Sequence, residues 1–75
     1  MISFEKEYLA YKMLRIFFAG YDNDTHLVDD ETLSDLQEVF GMVNREDRAG
    51  VFTHFVKLLL ARKVEFDVAQ FQVVA

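Results

Sequence analysis

The chain contains no cysteine and no proline, and only three of its 75 residues are glycine. Without cysteine it has neither a disulfide framework nor a zinc site built on thiolates, which favours a reducing cytoplasm. The glycines are scattered at positions 20, 41 and 50, which excludes a glycine-rich phosphate loop. Apolar runs such as residues 16–19 fall far short of the roughly 18 residues that suggest a membrane span. These absences predict a soluble cytoplasmic protein without a cleaved leader.

What the chain does contain is enough apolar surface for one core. Hydrophobic residues make up 52% of the sequence, and eight of them are phenylalanine, which is too apolar for a disordered chain. At this length only one core can form, so we expect a single compact domain over residues 1–75. So many phenyl rings in a small domain must be buried or left as an interface, which favours a homodimer or a dedicated partner.

A first helix is predicted from Phe4 to Ala19, with Ser3 as its N-cap and Gly20 as a left-handed C-terminal cap. Its apolar side chains fill two adjacent faces, one carrying Phe4, Tyr8, Tyr11, Leu14 and Phe18 and the other Leu9, Met13, Ile16 and Phe17. The aromatic side chains near Lys12 and Arg15 include Tyr8, Tyr11, Phe18 and Tyr21. We expect these aromatics to pack in the core or to form a dimer seam, with a second copy covering the first helix.

Two further helices follow from capping signals. Asp29 or Asp30 is expected to cap a second helix that Gly41 closes. Asn44 with Asp47 is a variant of the capping box and opens a third helix, which ends at Ala61 or Lys63.

The period then changes from helical to strand-like. Val64, Phe66 and Val68 alternate with polar or small residues, and Phe71 and Val73 continue the alternation. The tail fits a bent strand, a hairpin, or a strand followed by a short helix capped by Asp67, and strand character is favoured. The predicted fold class is therefore α+β and mainly helical, with three helices and short C-terminal β-strands.

This order of elements resembles that of winged-helix domains. Residues 32–42 look like the second helix and turn of that family, and residues 55–65 look like its third helix entering the wing. The resemblance implies a dimeric DNA-binding transcriptional regulator, with nucleic-acid contacts from Arg45, Arg48 and Lys57. The sequence departs from the family at the start of the third helix, where Glu46 and Asp47 are interleaved with the two arginines.

Charge is distributed unevenly along the chain. Between Arg15 and Arg45 there is no lysine or arginine but there are seven acids, namely Asp22, Asp24, Asp29, Asp30, Glu31, Asp35 and Glu38. We call residues 22–38 the acidic segment. Such a segment is usually a solvated loop and helix start, where the helix dipole favours carboxylates. The alternative is a surface that docks on a basic protein.

Metal and catalytic chemistry find little support in the residues. His26 lies among carboxylates, but one imidazole with scattered acids does not define a metal site. Residues 17–41 superficially resemble an EF-hand, yet Leu27 and Leu33 stand where its loop needs glycine and glutamate. Neither a nucleophile paired with a base nor a carboxylate pair in a pocket is recognisable, so we predict no enzyme, no metal and no cofactor.

The remaining expectation is an interaction module. A small acidic domain without catalytic residues fits a regulator or inhibitor that docks on a basic surface of a partner protein, in the style of phage and mobile-element accessory proteins. The partner-binding residues would then be the seven carboxylates of the acidic segment. The DNA-binding regulator is the alternative.

Overall fold

The computed structural model describes the backbone of residues 4–73 and the side chains of residues 4–67 and 69–71. Three α-helices follow one another along the chain: α1 (Phe4–Ala19), α2 (Asp30–Gly41) and α3 (Arg48–Ala61). Two 3-10 helices complete the fold, one over Arg45–Asp47 before α3 and one over Val68–Val73 after it. Helix α1 packs against both α2 and α3.

The predicted α+β class is wrong, because the described residues form an all-helical fold. No strand occurs in residues 4–73, and their β-pairing is limited to an isolated antiparallel bridge between Tyr21 and Val28. The β-strands predicted for the tail, which would also have formed a wing, are replaced by irregular backbone over residues 64–67 and the second 3-10 helix. Of the predicted strand followed by a short helix, only the helix is seen, and the Asp67 carboxylate accepts the Ala69 N–H at its start, at 3.0 Å.

The tail lacks a partner strand and is placed by its side chains. The Gln70 amide accepts the Val28 N–H at 3.1 Å and donates to the Val28 carbonyl at 2.8 Å, so a side chain replaces the neighbouring strand. The Phe71 ring is only 1% exposed and lies 5.7 Å from the ring of Phe55 and 6.1 Å from that of Phe17. The alternating pattern therefore reflects rings packed against the helices.

Helix α1 begins and ends where the sequence predicted, and its inward face builds the centre of the core. Its buried residues are Ala10, Met13, Leu14 and Phe17. Phe17 joins the helices to the tail, because its ring lies within 4.9–6.4 Å of the rings of Tyr21, Phe55, Phe66 and Phe71. The predicted N-cap Ser3 lies outside the described residues.

Gly20, at the junction between α1 and α2, is needed because a side chain would not fit there. Its backbone is not left-handed. None of the three glycines has a positive φ, so the prediction of Gly20 as a left-handed cap is wrong. A Cβ at Gly20 would lie 2.7 Å from the Thr32 Cβ and 2.9 Å from an Asp29 carboxylate oxygen. The start of α2 can therefore pack directly on the end of α1.

The third helix starts differently from the prediction. Asn44 precedes the first 3-10 helix without a side-chain capping bond, so the expected capping box is wrong. At the other end, the Lys63 N–H donates to the Leu60 carbonyl and the Val64 N–H to the Leu59 carbonyl, which is the Schellman pattern. Lys63 takes the left-handed conformation there, with φ of 55°, at a position where glycine is usual.

Candidate functional site

All seven carboxylates of the acidic segment are on the surface. Each of the seven residues is exposed, and within the described part of the chain none lies within 4.0 Å of a lysine or arginine nitrogen. Lys6 instead pairs with Asp47 at 2.9 Å, outside the acidic segment. The negative charge of the segment is therefore directed towards solvent.

Helix α2 brings three of these carboxylates together. Glu31, Asp35 and Glu38 stand at positions i, i+4 and i+7, so they line one face of the helix. This face lies to one side of the residues that α2 buries, which are Thr32, Leu36, Val39 and Phe40. We call Glu31, Asp35 and Glu38 the acidic stripe. It extends over about 10 Å, since an α-helix rises about 1.5 Å per residue.

The stripe ends at a residue that sequence reasoning missed. Met42 follows Glu38 by four residues and its surface is 69% exposed, although methionine is usually buried. The signal was available in the sequence, because position 42 continues the spacing of 31, 35 and 38 one turn further. An exposed thioether beside carboxylates adds an adaptable apolar contact to a charged surface.

Two of the predicted partner-binding residues also have structural roles. The Asp29 carboxylate accepts the Thr32 N–H at 2.8 Å and so caps α2. Hydrogen bonds from the Thr32 side chain and backbone lower the pKa of Asp29, because they stabilise its charged form. The Asp22 carboxylate accepts the Asp24 N–H at 2.7 Å and orders the loop before α2.

His26 contacts a carboxylate that its sequence position did not suggest. Its Nε2 lies 3.3 Å from a carboxylate oxygen of Glu65, on the segment that follows α3. The Tyr21 hydroxyl donates to the Glu65 backbone carbonyl. The pKa of Tyr21 is raised mainly by partial desolvation of its hydroxyl. The negative charges of Glu65 and Asp22 raise it further. These contacts fasten the loop to the tail.

Two of the three predicted nucleic-acid contacts, Arg45 and Arg48, line one surface cavity with Phe40 and Phe52, and Lys57 lies outside that lining. Arg48 is half-buried, its Nε donates to the Val43 carbonyl at 3.1 Å, and its guanidinium lies over the Phe40 ring. Arg48 thereby provides a hydrogen-bond donor for the backbone carbonyl of Val43, just beyond the C-terminal end of α2. Arg45 is exposed on the first 3-10 helix, and Lys57 is exposed on α3, nine residues beyond Arg48.

The aromatic face predicted on α1 is largely left in solvent. Phe4, Tyr8, Tyr11 and Phe18 are 85%, 59%, 41% and 44% exposed. Tyr21, which the sequence grouped with them, is half-buried and stacks on Phe17 with a ring separation of 4.9 Å. Helix α1 therefore carries a second face that its own domain does not cover.

Neither a metal centre nor a membrane span is seen in residues 4–73. They contain no group of three histidine or acidic residues arranged to hold a metal ion. None of their helices combines the length and apolarity that crossing a membrane requires. Comparison with protein-family models, curated proteins and solved structures finds no match to the chain.

Proposed function

We propose that this chain is an acidic protein–protein interaction module that acts as a regulator or inhibitor by docking its acidic stripe on a basic surface of a partner protein. The observation that carries the proposal is the arrangement of Glu31, Asp35 and Glu38 on one exposed face of α2. Within the described residues no lysine or arginine neutralises them. A cysteine-free domain of this kind needs no oxidising compartment, so we place its action in the cytoplasm.

The rigid backbone of α2 makes the stripe a defined surface. Successive carboxylates on a helix face lie about 5–6 Å apart between Cβ atoms. A partner must therefore offer several cationic groups at similar intervals over about 10 Å. The nucleic-acid-binding cleft of another protein is such a surface, because its lysines and arginines are placed to meet a row of phosphates.

Electrostatic docking has a recognisable dependence on salt. Exposed charges attract a partner over a Debye length of about 8–10 Å at physiological ionic strength, and added salt shortens this range. Complementary charge mainly raises the association rate and suppresses wrong partners. We therefore expect a complex that forms quickly and weakens as salt is raised.

The test compares the proteins that the wild type and two variants capture from a lysate of the cells that express the protein. The stripe variant carries Glu31→Lys, Asp35→Lys and Glu38→Lys, and its matched control carries Glu5→Lys, Asp24→Lys and Glu46→Lys, three exposed acids outside the stripe. Both variants change the net charge equally. Wild type and control are expected to retain a common set of basic proteins, identified by mass spectrometry, which the stripe variant loses.

Equal capture by the stripe variant and the wild type would contradict the proposal, and so would equal loss in both variants. Circular dichroism of each variant verifies that the helices remain. Retardation of duplex DNA that depends on Arg45, Arg48 and Lys57 would favour the DNA-binding regulator instead.

A further inference from the structure

The outer face of α1 has the spacing of a helix–helix seam. Phe4, Tyr8, Tyr11, Arg15 and Phe18 follow one another at alternating intervals of four and three residues, all of them exposed. This is the repeat by which paired helices contact each other. The seam lies to one side of the face that α1 buries, and exposed aromatic rings of this kind mark an interaction surface.

The charges along this seam complement themselves. Glu7 precedes Tyr11 by four residues and Arg15 follows it by four, while Phe4 and Phe18 stand seven residues to either side. If two copies of α1 align antiparallel about Tyr11, each Glu7 lies level with Arg15 of the second copy. Phe4 likewise lies level with the second copy's Phe18. A parallel pair would instead place like charges level with each other.

The surface of α1 also offers matching cavities. Phe4, Glu7, Tyr8 and Tyr11 enclose a groove of about 220 Å³, and they occupy the four positions of a knobs-into-holes pocket. In the antiparallel alignment Arg15 of the second copy enters this groove, where Glu7 supplies the carboxylate and the tyrosine rings supply faces for the guanidinium. The next groove, lined by residues that include Tyr8, Tyr11, Lys12 and Arg15, faces Tyr11 of the second copy.

We propose that the occupant of this face is a second copy of the chain, held in a two-fold symmetric, antiparallel pair of α1 helices with Tyr11 at the axis. The interface is isologous, so each favourable contact occurs twice. A single pair of 16-residue helices gives an interface near the small end of the specific range, about 1,200 Å², so we expect a weak and reversible dimer.

The dimer is independent of the docking function proposed above, because the acidic stripe lies on a different helix. Pairing through α1 leaves both copies of α2 with their carboxylates in solvent. The dimer would then present two acidic stripes to a partner and gain avidity if both engage.

Sedimentation equilibrium of the full chain over about 1–500 μM tests the pairing. The wild type is expected to change from monomer to dimer as its concentration rises. Arg15→Glu is expected to raise the dissociation constant at least tenfold, because it places an acid level with Glu7 of the second copy. Lys57→Glu is the matched control, since it makes the same charge change at an exposed site on α3. It should leave the constant within about twofold.

A charge swap tests the antiparallel register. Glu7→Arg alone is expected to weaken the dimer as Arg15→Glu does, and the double variant Glu7→Arg with Arg15→Glu is expected to restore it. A wild type that stays monomeric at every concentration would overturn the proposal. Dimerisation that survives Arg15→Glu unchanged, or a double variant that is not rescued, would do so as well.

Discussion

The two irregular segments of the molecule, residues 20–29 between α1 and α2 and residues 62–71 after α3, are held in different ways. In the first, near neighbours supply most of the hydrogen bonds, beside those from Tyr21 and Val28 to the tail: the His26 N–H donates to the Asp22 carbonyl at 2.8 Å, and Asp29 caps the adjacent helix. The second is fixed by remote residues, since Gln70 bonds to Val28 and Phe71 packs on Phe17. A local signal can therefore specify the first segment, whereas the second depends on the assembled helices.

The largest effect is expected from Phe71→Ala, which removes the main remote contact of the second segment. Loss of a buried phenyl ring costs about 3–5 kcal/mol. That is a large part of the roughly 4–11 kcal/mol expected for a domain of this length. Urea unfolding should show a much lower midpoint, whereas Phe66→Ala, at a half-buried ring, should cost clearly less. If both substitutions cost the same, the second segment is not anchored by Phe71.

An intermediate effect is expected from Gly20→Ala, which tests the close approach within the first segment. The added methyl group meets Thr32 and Asp29, and overpacking of this kind typically costs about 1–3 kcal/mol. Gly50→Ala is the control, because its Cβ would meet nothing within 4 Å on an exposed turn of α3. It should raise the unfolding free energy by about 0.5–1 kcal/mol. If Gly20→Ala raised the unfolding free energy as Gly50→Ala does, the junction would have room for a side chain.

The smallest effect is expected from Lys63→Gly, at the start of the second segment. Lys63 has a φ of 55°, a region that disfavours every residue with a Cβ. Glycine should raise the unfolding free energy by about 0.5–1 kcal/mol, after allowance for its greater freedom in the unfolded chain. Thermal unfolding of Lys63→Ala provides the reference, since alanine removes the charge but keeps the strain. A gain from alanine equal to that from glycine would assign the effect to charge.

The sequence predicted the three helices well because their signals are local. The bounds of α1 and the Asp29 cap of α2 follow from apolar spacing and from a side chain that reaches the next turn. The tail was predicted wrongly because an alternating pattern is also produced by rings such as those of Phe66 and Phe71, which pack on the helices. No local pattern reveals that the Gln70 amide takes the place of a strand beside Val28.

The candidate site was predicted in outline only. The excess of acids and its exposure could be anticipated from composition. Which acids share a face depends on their positions around the helix, which group Glu31, Asp35 and Glu38. Capping and loop hydrogen bonds distinguish Asp29 and Asp22 from these three. The partner of His26 could not be anticipated, since Glu65 reaches it only through the path of the chain after α3.

The hydrogen bonds between Gln70 and Val28 can form only late in the synthesis of the chain. The two residues are 42 positions apart, and ribosomes add roughly 5–20 residues per second. A nascent chain therefore waits roughly two to eight seconds after making Val28 before the amide that holds it exists. Until Phe71 has been added, the ring of Phe17 in α1 lacks the contact that Phe71 later gives it, so this part of the core is completed only once the tail has been made.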